Sequence, residues 1–316
     1  MSVKPDLTCR IGNLVARNPI FAASGTYGFG EELADYANIG KLGGLVTKGL
    51  SLSPRPGNRP PRICETMSGM LNSIGLANPG LDIFIRDKLP YLQKIADAGC
   101  LVIVNMYAEN RQEFVDLSKA LSAVSGISAL ELNLSCPNVS DGGMAFGVDP
   151  GAVFRITQAV RENTNLPLWV KLTPNVTNIV EIAQAALQGG ADAISMINTL
   201  LATAIDARAR KFRLGNIMGG LSGPAIKPVA LRMVLQVSKE LDIPIVGMGG
   251  ITGGSDIIEF FLAGACAVQI GSANLMDPLA MERINAELFD FCLEENVSKL
   301  QDLSGQLAAE CRLQKI

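Results

Sequence analysis

Eight short apolar runs, separated by segments of helical periodicity, constrain this chain more than any other feature. They are PIFAAS (19–24), GGLVTK (43–48), CLVIVN (100–105), ISALELNLS (127–135), LPLWVKL (166–172), ADAISMIN (191–198), IPIVGMG (243–249) and ACAVQIG (265–271). Amphipathic stretches at 111–124, 150–164, 176–188 and 227–241 lie between them. Alternating strands and helices demand a parallel sheet with right-handed crossovers. Eight such strands close into a (β/α)8 barrel, the fold expected here. An open doubly wound sheet is the alternative, but no GxGxxG follows the first run.

The chain has 316 residues, long for one domain but ordinary for a barrel. No boundary, repeat or low-complexity tail divides it, so residues 1–316 are read as a single domain. No stretch approaches the roughly 20 apolar residues that cross a bilayer. The opening MSVKPDLTCR lacks the apolar core and cleavage site of a secretory signal. A soluble cytoplasmic protein with no membrane contact is expected. The net charge of -3 argues against nucleic-acid binding. The compact basic cluster Arg208, Arg210, Lys211 and Arg213 reads as a solvated loop.

The seven cysteines, at 9, 64, 100, 136, 266, 292 and 311, form no CxxC pair. No zinc ribbon or iron–sulfur cluster therefore has local ligands, and no metal site is expected. The chain has no histidine at all. Proton transfer must use Cys, Lys, Asp, Glu, Tyr or water, and Ser–His and Cys–His dyads are excluded.

Three connections exceed simple turns: 48–81, rich in Pro, Gly and Asn; 136–150, with DGG and FG; and 199–228, with GGLSGP. All follow the C-terminal ends of strands, the catalytic face of a barrel. What each strand delivers there is polar or glycine: Ser24, Lys48 with Gly49, Asn105, Asn133, Lys171, Asn198 with Thr199, Gly249 with Gly250, and Gly271 with Ser272. A ring of ligands around one cavity is the reading of that coincidence. The last two ends, GMGGITGGSD and IGSAN, read as a phosphate cradle of backbone N–H groups. Lys48 and Lys171 fit an anionic substrate and a reduced cofactor ring, and a Schiff-base role stays open for either. Cys136 carries the sharpest expectation. Pro137 ends the strand abruptly, and a thiol with pKa near ~8.5 becomes a feasible base where thiolate is favoured. Cys100 and Cys266, inside apolar runs, read instead as packed core thiols.

NPIFAASGTYGFGEE (18–32), TKGLSLSPRPGNRPPR (47–62), SGMLNSIGLANPG (68–80), ELNLSCPN (131–138), VKLTPNVT (170–177), MINTL (196–200), GGLSGPAIKP (219–228) and GMGG (247–250) together resemble class 1 dihydroorotate dehydrogenases. The likeness covers nearly the whole chain and is strongest to the B-type catalytic subunit. It implies an FMN-bound barrel that oxidises (S)-dihydroorotate to orotate in pyrimidine biosynthesis. Cys136 would take the C5 proton while hydride leaves C6 for flavin N5. Substrate would contact Lys48, Asn72, Ser73, Ile74, Gly75, Leu76, Asn133, Asn198 and Thr199. FMN would contact Ser24, Lys48, Gly49, Asn105, Asn133, Lys171, Ile197, Gly223, Gly249, Gly250, Gly271 and Ser272. Lys171 then suits the N1 side of the ring, where reduction places negative charge.

B-type enzymes pair this subunit with one carrying FAD and a [2Fe–2S] cluster and pass electrons to NAD+, implying a homodimer core within a heterotetramer. The chain departs from the family at VNMYAEN (104–110), where small residues usually follow the strand-three Asn. Met106 and Tyr107 touch either the cavity floor or a partner contact. An A-type fumarate-dependent enzyme and a dihydropyrimidine dehydrogenase are neighbouring readings, the latter separated by kinetics with dihydrouracil. A flavin-free Schiff-base aldolase using Lys171 or Lys48 belongs to another class and predicts a colourless protein trapped by borohydride. A non-catalytic scaffold predicts no flavin reduction.

Overall fold

The structure, a computed structural model, describes residues 4–134 and 146–314. All eight apolar runs hold strands, shorter than the run except at β3, which is as long as its run and shifted by one residue: β1 (Ile20–Ala22), β2 (Gly44–Val46), β3 (Leu101–Met106), β4 (Ala129–Asn133), β5 (Leu168–Leu172), β6 (Ala193–Met196), β7 (Ile245–Met248) and β8 (Ala267–Ile270). They are parallel and close into a barrel in chain order, with β8 beside β1. The helices predicted from periodicity are present as Arg111–Ser122, Pro150–Arg161, Ile179–Gln188 and Lys227–Glu240. Three begin at side-chain caps: Asn110, Asp149 and Asn178 accept hydrogen bonds from backbone N–H groups of the first turn.

The barrel interior is organised by the two-residue period of a strand. Phe21, Val46, Ile103, Ala129, Trp169, Ala193, Val246 and Ala267, one from each strand, form a buried apolar layer. Cys9, Ile11 and Ala16, from an antiparallel hairpin (Cys9–Ile11 with Leu14–Ala16), pack against it. The hairpin turn at Gly12 approaches Asp192, just before β6, so it closes the N-terminal end of the barrel. Two residues further along, side chains return to the same interior face. That step reaches Lys48, Asn105, Glu131, Lys171, Ser195 and Gln269. An apolar floor therefore carries a polar layer at the C-terminal end.

Two connections predicted as loops instead build a sheet. Leu200–Ala202, Gly219–Ser222, Gly69–Asn72 and Ile63–Thr66 pair antiparallel in that order. The pairing joins segments some 150 residues apart in the chain, and Gly-rich strands have little alternation to betray them. Gly220 is required there, because a Cβ would sit 2.0 Å from Thr199 Oγ1. The third connection is described only from Phe146 onward.

The basic cluster lies on a small hairpin, Ile205–Asp206 with Lys211–Phe212, and all four cations are exposed. Met106 points outward into the core between barrel and helices. Tyr107 is buried beneath Arg55, whose guanidinium lies 5.0 Å from the ring and pairs with Glu109. The departure at 106–107 thus anchors the 48–81 segment rather than the barrel interior.

Cys100 and Cys266 are buried as predicted, and desolvation pushes both thiols up to about 12. Cys9 is raised further for the same reason. Iodoacetamide at pH 8 is expected to leave these three unlabelled in the native protein and to modify half-buried Cys64 and Cys311. Peptide mapping before and after denaturation checks this; native labelling of Cys266 contradicts the packing. No helix among the described residues is long and apolar enough to cross a membrane.

Candidate active site

The polar layer is a connected network centred on Glu131, whose side chain is wholly buried. Glu131 Oε1 accepts a hydrogen bond from Asn105 Nδ2 at 2.6 Å, and Lys171 Nζ lies 3.9 Å from the same oxygen. Oε2 accepts from Ser195 Oγ at 2.6 Å and from Gln269 Nε2 at 2.7 Å. Parallel register explains the convergence: Asn105 pairs with Glu131, and Lys171 pairs with both Asn133 and Ser195. Four donors facing two oxygens match an ionised carboxylate, which only accepts. Lys171 is 6% exposed, so its charge enters the mouth of the barrel already paired.

Above this layer stand Asn133, whose Nδ2 reaches Asn105 Oδ1 at 3.5 Å, and the ends of β6. The Met196–Ile197 peptide is cis. Ile197 donates to Met248 O, and Asn198 donates through its backbone to Leu172 O. Asn198 Oδ1 accepts from Thr199 N at 2.7 Å, and Asn175 holds Thr199 O. The antiparallel sheet brings Asn72 against the 199–228 segment, with Nδ2 3.4 Å from Gly220 O. Its following residues form a shaped turn. Asn58 Nδ2 donates to Ser73 Oγ at 2.9 Å, and Asn58 N donates to Ile74 O. Gly75 and Leu76 both adopt positive φ, 74° and 57°. Leu76 reaches Gly49, which also abuts Asn105.

The glycine positions gather on the opposite side. Gly250 has φ 76°, and a Cβ there would lie 2.9 Å from Gly223 O, so the loops after β6 and β7 meet without side chains. Gly249 also has positive φ. At Gly271 a built Cβ would make ordinary van der Waals contact with Ala23 at 3.7 Å, whereas at Gly25 it would meet nothing within 4 Å, so open space adjoins Gly25. Part of the predicted cradle is already used: Asp256 accepts from Thr252 N and Gly253 N, and Glu287 accepts from Gly254 N. Ser24 and Ser272 flank Gly25 and Gly271 at half-buried positions. A cavity of about 510 Å³ at the ends of β1, β2 and β8 is lined by Gly25, Thr26, Lys48 and Asn274.

None of the predicted site residues that the structure describes is fully exposed, and all lie at the C-terminal end of the barrel or in the sheet above it. Cys136 lies outside the described residues, three positions beyond Asn133. Sequence reading passed over Glu131, Ser195, Gln269 and Asn58. The signal for the first three was present: each stands two residues beyond an apolar floor residue of its own strand. Asn58 leaves no such trace, because its role depends on a turn 15 residues away.

A closed parallel barrel whose mouth holds a buried lysine, converging amides and a glycine-lined rim defines a (β/α)8-barrel enzyme. The family model for dihydroorotate dehydrogenase matches residues 6–292, and the chain belongs to that family. It is 50% identical over 305 residues to the dihydroorotate dehydrogenase B (NAD(+)), catalytic subunit, of Geotalea uraniireducens, covering 96% of this chain and 99% of that one. The proteins of the same name from Geobacter metallireducens and Pelobacter propionicus are each 49% identical, over 96% and 98% of this chain and 99% and 100% of theirs.

Proposed function

We propose that this chain is the catalytic subunit of an NAD+-linked dihydroorotate dehydrogenase, a single FMN-binding barrel domain that oxidises (S)-dihydroorotate to orotate in pyrimidine biosynthesis. The observation that carries the reading is the polar layer: a paired lysine and converging amides beneath a sheet that supplies Asn72 and Thr199. The residues fit FMN. Gly223, Gly249 and Gly250 hold positive φ in the loops after β6 and β7, Gly25 borders open space, and Lys171 supplies a cation in the mouth. FMN, when bound, supplies the hydride acceptor.

The chain's own residues do the rest. Lys171 and Asn105 hold the ring side of the cofactor; Ser24, Lys48, Gly49, Ile197 and Ser272 border it. Asn72, Asn133, Asn198 and Thr199 hydrogen-bond the pyrimidine and its carboxylate, and Lys48 balances the anion. The turn of Ser73, Ile74, Gly75 and Leu76 walls the pocket and excludes water. Cys136 removes the C5 proton as the base that a chain without histidine must find elsewhere.

The names of the relatives support a partner subunit, and we assign it the FAD and [2Fe–2S] cluster that carry electrons to NAD+. A homodimer core suits the apolar face beside the antiparallel sheet, where Leu201, Ile205, Phe212, Ile217 and Met218 are exposed. Steady-state turnover with dihydroorotate and none with dihydrouracil is expected, with FMN released on acid extraction. Equal rates on dihydrouracil, or FMN-free protein, contradict the assignment. Fumarate turnover by the isolated chain would place it with the A-type enzymes.

Lys171→Ala is expected to make the FMN midpoint potential more negative by about 30 mV or more, a tenfold change for a two-electron couple. Loss of the cation removes stabilisation of negative charge on reduction. Spectroelectrochemistry checks it; an unchanged potential removes Lys171 from that role.

A further inference from the structure

The Glu131 carboxylate is the least accessible charge in the barrel and touches no solvent. It has no place in the substrate or cofactor contacts assigned above, yet it binds two residues that do, Asn105 and Lys171. A buried carboxylate is costly unless paired and hydrogen-bonded, and its cost is met here by donors from four other strands. Such a hub fixes rotamers. With Oε1 shared by Asn105 and Lys171, the amide and the ammonium are held in one orientation relative to the mouth. With Oε2 held by Ser195 and Gln269, the carboxylate cannot swing toward the ammonium. Gln269 Oε1, at the edge of the network, is buried without a hydrogen-bond partner among the described residues.

The electrostatic consequence is specific. A negative charge 3.9 Å from Lys171 Nζ offsets part of the field that the ammonium exerts in a low-dielectric interior. Each donor to Oε2 weakens that offset by drawing charge toward the far oxygen. We propose that Glu131 is a positioning residue that sets the orientation and effective charge of Lys171 and Asn105, and thereby tunes the reduction potential of the flavin they hold. This rests on the FMN reading above.

The two oxygens give opposite expectations. Glu131→Gln removes the offsetting charge while keeping the size, so reduced flavin gains stability. The midpoint potential rises by a factor of about ten in the redox equilibrium, ~30 mV for two electrons. Ser195→Ala removes one donor from Oε2, leaves more negative charge beside Lys171, and shifts the potential the other way by less. Glu131→Asp keeps the charge and stays closer to wild type than Glu131→Gln. Potentials are read by spectroelectrochemistry on FMN-loaded protein, with thermal unfolding and FMN affinity measured alongside. A merely structural role weakens folding or FMN binding in all three variants without opposed shifts. Opposite signs for Glu131→Gln and Ser195→Ala support the proposal. Unchanged or same-sign potentials overturn it. Should Glu131→Gln not fold, Ser195→Ala decides alone: a more negative potential supports the proposal, and any other result overturns it. Wild-type protein that takes up no FMN defeats the functional reading itself. Wild-type protein with a normal flavin and variants of unchanged potential defeat only the role of Glu131.

Discussion

Cys136→Ser protein purifies yellow with its FMN in place, yet dihydroorotate reduces that flavin about 10²–10⁴-fold more slowly than in wild type at neutral pH. The size of the effect follows from the composition. With no histidine in the chain, few side chains can accept a carbon-bound proton near neutrality, and Cys136 stands three positions beyond the end of β4 in the sequence. A thiol, with an ordinary pKa near ~8.5, reaches its anionic form where a nearby positive field helps; a serine hydroxyl does not. Serine keeps the side-chain size, so FMN retention separates lost chemistry from lost binding. The residues assigned to the cofactor lie on other strands, apart from Asn133. Anaerobic stopped-flow absorbance of the oxidised flavin measures the rate, and wild-type-like reduction would remove Cys136 from the mechanism.

Trp169→Ala is expected to lower stability by about 3–5 kcal/mol, the range for truncating a large buried aromatic. Trp169 is completely buried and meets Phe21 edge-on with ring centroids 5.8 Å apart. Three of its neighbours in the floor layer are alanines 129, 193 and 267, which cannot expand into the space the indole leaves. The effect travels upward, because Lys171 stands two residues along the same strand and rests on this floor. Reduced FMN retention is expected together with the lower denaturation midpoint. Trp169→Phe recovers most of the stability, since the indole Nε1 makes no hydrogen bond that phenylalanine would lose. Urea unfolding followed by circular dichroism measures both variants; a midpoint unchanged in Trp169→Ala would contradict the packing of the floor.

How far the sequence reached is clearest strand by strand. The apolar runs located all eight barrel strands because buried parallel strands are nearly continuous in hydrophobicity. The polar residues at their ends located the mouth for the same reason: each broke its run. Glu131, Ser195 and Gln269 escaped because they lie inside runs whose apolar neighbours mask them. Only the alternation from Ala129, Ala193 and Ala267 exposes them. The sheet of Gly69–Asn72 and Gly219–Ser222 was hidden by glycine and by its long-range pairing, and short strands such as Leu200–Ala202 carry too few residues to show a period. The cradle was read too broadly, since which N–H groups remain available depended on Asp256 in the next helix, Gly254–Ala263, and on Glu287 in the distant helix Ala280–Glu294.

Anaerobic titration of the purified protein with dihydroorotate addresses the central claim most directly. The account predicts stoichiometric bleaching of bound FMN with matching release of orotate, followed by reoxidation by NAD+ only when the partner subunit is added. A colourless protein, or a bound flavin that stays oxidised in excess dihydroorotate, would contradict it.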